Sequence, residues 1–173
     1  MKQWILYEDN HIIIVNKPTR LPVQPDRTGD ITLLDLGKEY IKTTYQKPGN
    51  VYLGLPHRID RPVSGIIILS KTSKSLSRMT QLFREKNIKK TYWAIVQKRI
   101  KNDKGTLVHF LKKNKRLNKS FAIEEEKKGY LKSILRYKLI NILDNYFLYE
   151  INLISGRHHQ IRAQLSTIGS PIK

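Results

Sequence analysis

Short apolar runs separated by turn-forming residues are the feature that most constrains the fold of this chain. Runs typical of β-strands occupy residues 12–15, 66–69 and 92–96, and residues 98–128 are expected to form strands with long connections. Only three segments have helical character, and they do not alternate regularly with the strands as in parallel βαβ folds. The pattern predicts an α+β fold, with a largely antiparallel mixed sheet and flanking helices.

The three predicted helices have recognisable starts and stops. Thr32 can cap the first helix, and Pro48 with Gly49 is expected to end it. The second helix is expected to begin after Thr72 or its neighbour. The third covers about residues 159–168, before a glycine that favours termination.

The charge of the chain indicates a polyanionic partner. There are 33 basic and 14 acidic residues, so the formal net charge is +19. Lysine and arginine contacts to phosphates release counterions and strengthen nucleic-acid binding. The alternative is that many lysines reflect AT-rich codon usage and are passive surface charge.

The chain contains no cysteine, which excludes disulfides, thiolate zinc sites and a thiol nucleophile. The first residues lack the basic-then-apolar order of a signal peptide, and no apolar run approaches the ~20 residues of a membrane span. These features favour a cytoplasmic protein without membrane contact.

One carboxylate, Asp60, stands between Arg58 and Arg61. The turn-forming pair Ser64 and Gly65 follows, directly before an apolar strand. Neighbouring positive charge favours the ionised form of an acid. An ionised acid at this position suits attack on, or proton removal from, an anionic polymer, and the alternative is a structural ion pair with the arginines.

Three segments together resemble the RluA-type family of RNA pseudouridine synthases. They are His-Arg-Ile-Asp with Ser-Gly at residues 57–65, Lys-Thr-Tyr-Trp-Ala-Ile-Val at 90–96, and Gly-Arg-His-His-Gln-Ile-Arg at 156–162. The resemblance covers nearly the whole chain and implies the pseudouridine synthase fold with a central catalytic cleft. Three positions depart from the family pattern: Val63 replaces a threonine, Arg20 a glycine and Ser170 a histidine.

The resemblance implies a role for four residues. Asp60 matches the catalytic aspartate, and Tyr92 matches the tyrosine that stacks on the target uracil and helps to remove its C5 proton. Arg162 matches the arginine that pairs with the catalytic aspartate. Arg58 matches the arginine that enters the RNA stack when the uridine is flipped out.

Four further residues are predicted to contact RNA. His57 either caps its loop or contacts phosphate, whereas Arg61 and Arg157 either contact phosphate or are surface charge. Gln160 lies in the third motif and completes the predicted RNA-binding set.

The implied reaction isomerises uridine to pseudouridine in ribosomal or transfer RNA, and it requires no cofactor. The bond can break by attack at C1′, by attack at C6 or through a glycal. We expect no metal site, because the adjacent His158 and His159 have no partner at a ligand spacing.

The resemblance also bears on the extent of the protein. Residues 1–173 are expected to form one catalytic domain that lacks the family's usual C-terminal strands and an N-terminal S4-like domain. We expect a monomer. The alternative function is a catalytically inactive RNA-binding or RNA-folding module derived from this family.

Overall fold

The computed structural model describes residues 1–173, which divide into two compact units, Met1–Ile88 and Lys89–Lys173. Both units combine an antiparallel sheet with helices, so the predicted α+β class is confirmed. The strands form two separate sheets, and every strand pairing is antiparallel. No helix has both the length and the apolar character needed to cross a membrane.

The first unit is built on a three-stranded sheet in the order β1-β2-β3. Its strands are β1 (Ile5–Glu8), β2 (Ile12–Lys17) and β3 (Gly65–Ser70). Alternate residues of β2 are buried, including Ile13 and Val15, and they join Ile67 and Leu69 of β3 in one apolar core. Strand β2 lies in the centre of the sheet, so it positions both the buried core and the loop that precedes β3.

Two capped helices accompany this sheet, α1 (Leu33–Thr44) and α2 (Ser73–Arg84). Thr32 caps α1 by accepting a hydrogen bond from the Asp35 amide, and the Asp35 carboxylate accepts one from Thr32 in return. Thr72 caps α2 by accepting a hydrogen bond from the Ser75 amide. Both predicted starts are therefore confirmed.

The predicted end of α1 is wrong by several residues. The helix ends at Thr44, before Pro48 is reached, because Gln46 adopts a left-handed φ of 48°. The amide of Lys47 then donates to the carbonyl of Lys42 at 3.1 Å. This bond satisfies a terminal carbonyl and closes the helix in a Schellman motif.

The second unit is a five-stranded sheet in the order β4-β8-β7-β5-β6, with one helix packed on one face. Its elements are β4 (Lys90–Val96), β5 (Lys104–Asn114), β6 (Lys119–Ile123), β7 (Leu131–Ile142), β8 (Phe147–Leu153) and α3 (Gln160–Thr167). Leu165 of α3 joins Val96, Tyr149 and Ile151 in the core. The strands expected in residues 98–128 are β5 and β6, and Gly169 ends α3 with a φ of 75° as predicted.

Candidate active site

Asp60 lies in the loop that precedes β3. The amide of Val63 donates to the carbonyl of Asp60 at 3.0 Å and closes a tight turn. Gly65 enters β3 with a φ of 140°, which residues with a side chain rarely adopt. Asp60 is half-buried and Arg58 is exposed, so the arginine is accessible to a solvent-borne ligand.

His57 anchors the start of the Asp60 loop. Its Nε2 accepts a hydrogen bond of 3.0 Å from the amide of Ile68 in β3, and its ring stacks on Phe83 of α2 at 4.4 Å. An accepting Nε2 carries no proton, so this contact requires that ring nitrogen to be deprotonated. The contacts correspond to the loop-capping interpretation of His57.

Arg61 anchors the other end of the loop. Its Nη2 lies 2.6 Å from a carboxylate oxygen of Asp30, and its Nη1 lies 3.9 Å from one of Asp26. Its Nε donates to the carbonyl of Arg20 at 3.1 Å. The guanidinium therefore ties the Asp60 loop to residues 20–30, an intramolecular role that sequence analysis did not include.

Lys17 is the site residue that sequence analysis missed. Its side chain is fully buried, and Nζ donates to the carbonyls of Pro18 at 2.9 Å, Leu21 at 2.8 Å and Arg61 at 3.2 Å. Burial lowers the pKa of Lys17 to about 8, although the charge of Asp60 acts to raise it. The only local signal was a lysine at the end of an apolar strand, since its partners are set by the fold.

Tyr92 lies on β4 in the second unit, on the side of the sheet that packs against α3. It is half-buried and contacts the core that contains Ala94 and Val96. Its neighbour Trp93 points to the opposite side, as the alternation of strand residues requires. Arg162 lies in α3 and is also half-buried.

Gln160 does not fit the predicted RNA contact, because it is 2% exposed. Its Oε1 accepts hydrogen bonds from the Ser155 hydroxyl and the Arg157 amide, both at 2.9 Å. Its Nε2 donates to the carbonyl of Ile134 at 3.1 Å and to Oε1 of Gln164 at 2.9 Å. We therefore correct its role: Gln160 holds the loop before α3 rather than RNA.

A buried polar cluster continues from Gln160. The Nε2 of Gln164 lies 3.2 Å from the carbonyls of Leu107 and Ser133 and 3.1 Å from Nδ1 of His109. Burial lowers the pKa of His109, so its neutral form is favoured. These contacts fix α3, and therefore Arg162, to the sheet through uncharged groups.

The two histidines of the third motif make contacts within the second unit. Their rings stack at 3.7 Å, and Nδ1 of His158 lies 3.0 Å from the hydroxyl of Ser120 in β6. His159 has a left-handed φ of 50° at the start of α3. No group of three or more His, Cys, Asp or Glu residues that could hold a metal ion is present.

The predicted site residues fall in both units. His57, Arg58, Asp60 and Arg61 share one loop of the first unit, whereas Tyr92, Arg157, Gln160 and Arg162 belong to the second. Within the second unit, the Arg157 amide and Gln160 are brought into contact, and the Arg157 side chain is exposed. The pairing of Arg162 with Asp60 stays a prediction.

A family model and individual proteins that resemble this chain all carry the names of RNA pseudouridine synthases. The family model described as RNA pseudouridylate synthase matches residues 11–167. The chain is 32% identical to ribosomal large subunit pseudouridine synthase C of Rickettsia prowazekii, over 99% of this chain and 55% of that protein. It is also 32% identical to the protein of the same name from Vibrio parahaemolyticus, over 99% of this chain and 51% of that one.

A solved structure extends the comparison to the fold. The human RNA pseudouridylate synthase domain containing 4 matches with a TM-score of 0.82 and 22% identity, over 99% of this chain and 67% of that chain. The chain spans about half the length of the curated relatives it matches.

Proposed function

Because this chain belongs to the RNA pseudouridylate synthase family, we propose that it isomerises specific uridines in RNA to pseudouridine. The observation that carries the proposal is the Asp60 loop, which is held by His57 at its start and by Lys17 and Arg61 at its end. The names of the curated relatives favour RNA of the large ribosomal subunit as the substrate. Transfer RNA is the second substrate class that we propose.

Asp60 is the proposed catalytic residue. The reaction breaks the N1–C1′ bond, turns the base and joins C5 to C1′, after which C5 loses a proton and N1 carries one. A carboxylate can serve as a covalent nucleophile or as a base, so attack at C1′, attack at C6 and removal of the C2′ proton are all chemically open to it. Each route needs the carboxylate held in one orientation, and the anchored loop supports this.

Three further residues are proposed to act once the target uridine is flipped out of the RNA stack: Tyr92, Arg58 and Arg162. Removing a base from its stack costs a few kcal/mol, and stacking on an aromatic ring such as Tyr92 returns about 1–3 kcal/mol. The exposed Arg58 is proposed to fill the vacated position in the RNA. Arg162 is proposed to pair with the Asp60 carboxylate through its planar guanidinium.

The exposed basic side chains are proposed to bind phosphate without base specificity. Arg157 fits this role because its side chain is exposed while its backbone is fixed by Gln160. We further propose a cytoplasmic monomer. Each unit encloses its own apolar core, so neither needs a second copy to bury it. Sedimentation that shows a stable dimer would contradict the monomer.

The first test compares the chain with its Asp60→Ala and Asp60→Asn variants in cells that lack RluA-type enzymes. We expect new pseudouridines, detected as carbodiimide-dependent primer-extension stops, only with aspartate at this position. Asp144→Ala, which removes an exposed aspartate from the β7–β8 turn, is the matched control and should retain full activity.

Two outcomes would count against the proposal. Full product formation by Asp60→Ala would exclude the aspartate as the catalytic group. Tight, salt-dependent RNA binding with no product from the unchanged protein would favour the alternative, an RNA-binding module without catalysis.

A further inference from the structure

One face of the five-stranded sheet is not covered by α3. Strand residues alternate between faces, so Tyr92, Ala94 and Val96 turn to the core, whereas Trp93 turns away from it. The cross-strand register places Trp93, Glu150, Lys138 and Lys104 in one row across four strands. We call this side of the sheet the open face.

Large apolar side chains are exposed on the open face. Trp93 is 73% exposed, Phe121 50% and Val108 45%. Trp93 lies on β4 and Phe121 on β6, the two outer strands, which are four strand spacings or roughly 19 Å apart. The register also offsets the two residues by eight positions along β5, from Lys104 to Lys112, so they lie at opposite corners of the open face. Exposed aromatic rings on a sheet offer flat faces on which a planar group, such as a nucleic-acid base, can stack.

The charge of the open face indicates what it binds. Glu150 is the only acidic residue in the five strands. Lys104, Lys132, Arg136 and Lys138 lie on this face and are exposed. The face therefore combines aromatic rings with an excess of positive charge, which fits an anionic partner better than an apolar protein segment.

A concave basic surface adjoins the open face. A depression of about 540 Å³ is lined by Arg99, Lys101, Asp103, Lys104 and Lys138. Its one acidic residue, Asp103, pairs with Arg99 at 2.8 Å, so these two charges offset each other. The three lysines then give the depression its net positive charge. Lys104 and Lys138 belong to both surfaces. A nucleic-acid strand lying on the open face can therefore place one of its phosphates in the depression.

We propose that the open face is a docking surface for single-stranded RNA. Phosphates bind Lys104, Arg136 and Lys138, and bases stack on Trp93 and Phe121. Open antiparallel sheets with exposed aromatic residues bind RNA in this manner, since every base offers a face for stacking. The surface goes beyond the proposed function, because it lies on the opposite side of the sheet from Tyr92.

The charge component is tested in the Asp60→Ala background, so that the result is independent of catalysis. Lys104→Gln/Arg136→Gln/Lys138→Gln removes three charges from the open face. Lys2→Gln/Lys42→Gln/Lys47→Gln removes the same charge from the first unit and is the matched control. Affinity for a fluorescein-labelled 20-nucleotide oligouridine is measured by anisotropy at several salt concentrations.

We expect the open-face variant to bind at least tenfold more weakly, with a salt slope shallower by about two. The control should stay within threefold of the parent protein. Equal weakening of the two variants would overturn the proposal, since net charge alone would then explain binding.

The stacking component is tested through Trp93. Trp4→Phe leaves Trp93 as the sole tryptophan, and we expect oligouridine to quench its fluorescence. Trp93→Ala should weaken binding by about five- to a hundredfold. The proposal is overturned if RNA at saturation leaves the fluorescence unchanged. It is also overturned if Trp93→Ala abolishes a dimer without changing RNA affinity, which would identify the face as an interface between copies.

Discussion

The loop of Asp60 and the loop before α3 are held in place by opposite kinds of chemistry. Charged groups hold the end of the Asp60 loop: the Lys17 ammonium binds three carbonyls, and the Arg61 guanidinium pairs with Asp30. Neutral amides hold the second loop, through Gln160 and its neighbour Gln164. Both arrangements fix a loop that carries a proposed site residue.

The difference shows that a buried charge and a buried amide hold a loop under different conditions, because only the charged group changes its protonation with pH. A buried ammonium makes strong hydrogen bonds, but desolvation opposes its charge and makes the anchor depend on pH. A buried amide makes weaker bonds that do not change with protonation. We therefore expect the Asp60 loop to be held more strongly than the loop before α3, and its anchoring to depend more on pH.

Lys17→Met gives the largest expected effect on this comparison. The substitution leaves three carbonyls without their donor, so the free energy of unfolding should fall by about 3 kcal/mol or more. Pseudouridine formation should fall with it, because the Asp60 loop is released. Urea unfolding measures the first effect and primer extension the second.

The exposed Lys42→Met is the control and should change stability by less than about 0.5 kcal/mol. A loss below about 1 kcal/mol for Lys17→Met would mean that the buried ammonium is not the main anchor.

Gln164→Leu should have a smaller effect, about 2 kcal/mol. It removes the donor that contacts Leu107, Ser133 and His109, yet it buries no charge. Gln81→Leu, on the exposed side of α2, provides the matched control by urea unfolding. If Gln164→Leu were more destabilising than Lys17→Met, the neutral cluster would be the stronger anchor and the comparison would be reversed.

Within any one pH unit, the pH dependence of stability should show the smallest effect, at most about 1.4 kcal/mol for one proton. Burial lowers the pKa of Lys17 to about 8 in the folded chain, from 10.5 for a freely solvated lysine. Between these values the unfolded chain binds the proton and the folded chain does not, so the Lys17 contribution to stability rises with pH. Below pH 8 both states are charged, and the desolvation cost is present in full.

His109 should act in a different pH window. Its folded pKa is lowered from 6.5 by burial, so the unfolded chain binds a proton first as the pH falls below 6.5, and stability decreases. Urea unfolding from pH 5 to 10 of the parent protein, Lys17→Met and His109→Gln separates the two contributions. Parallel profiles for the parent protein and Lys17→Met above pH 8 would contradict the assignment to Lys17.

Local features of the fold could be predicted because their causes lie within a few residues. Thr32 and Thr72 bind amides three positions ahead, and Gly169 supplies a left-handed conformation at a helix end. The end of α1 was missed because Gln46, a residue with no strong preference for a left-handed φ, adopts one. The α+β class followed from the order of the strands and helices.

The roles of Gln160 and Lys17 could not be predicted from local sequence. Gln160 stands in a motif of basic residues, which favoured an RNA contact, but its partner Ile134 is 26 positions away. Lys17 reaches Arg61 across 44 positions. Whether a polar side chain meets solvent, RNA or a distant carbonyl depends on packing that no short pattern encodes.

The sequence by itself determined the family, the α+β class, the helix caps and the alternation that separates Tyr92 from Trp93. These features depend on local hydrogen bonds, on the two-residue period of strands and on the order of the motifs. The tertiary structure alone decided that Lys17 and Gln160 are buried and that one face of the second sheet is open. Burial is set by which distant segments pack together, and the cost of desolvation then determines which polar groups hold the loops and which stay in contact with solvent.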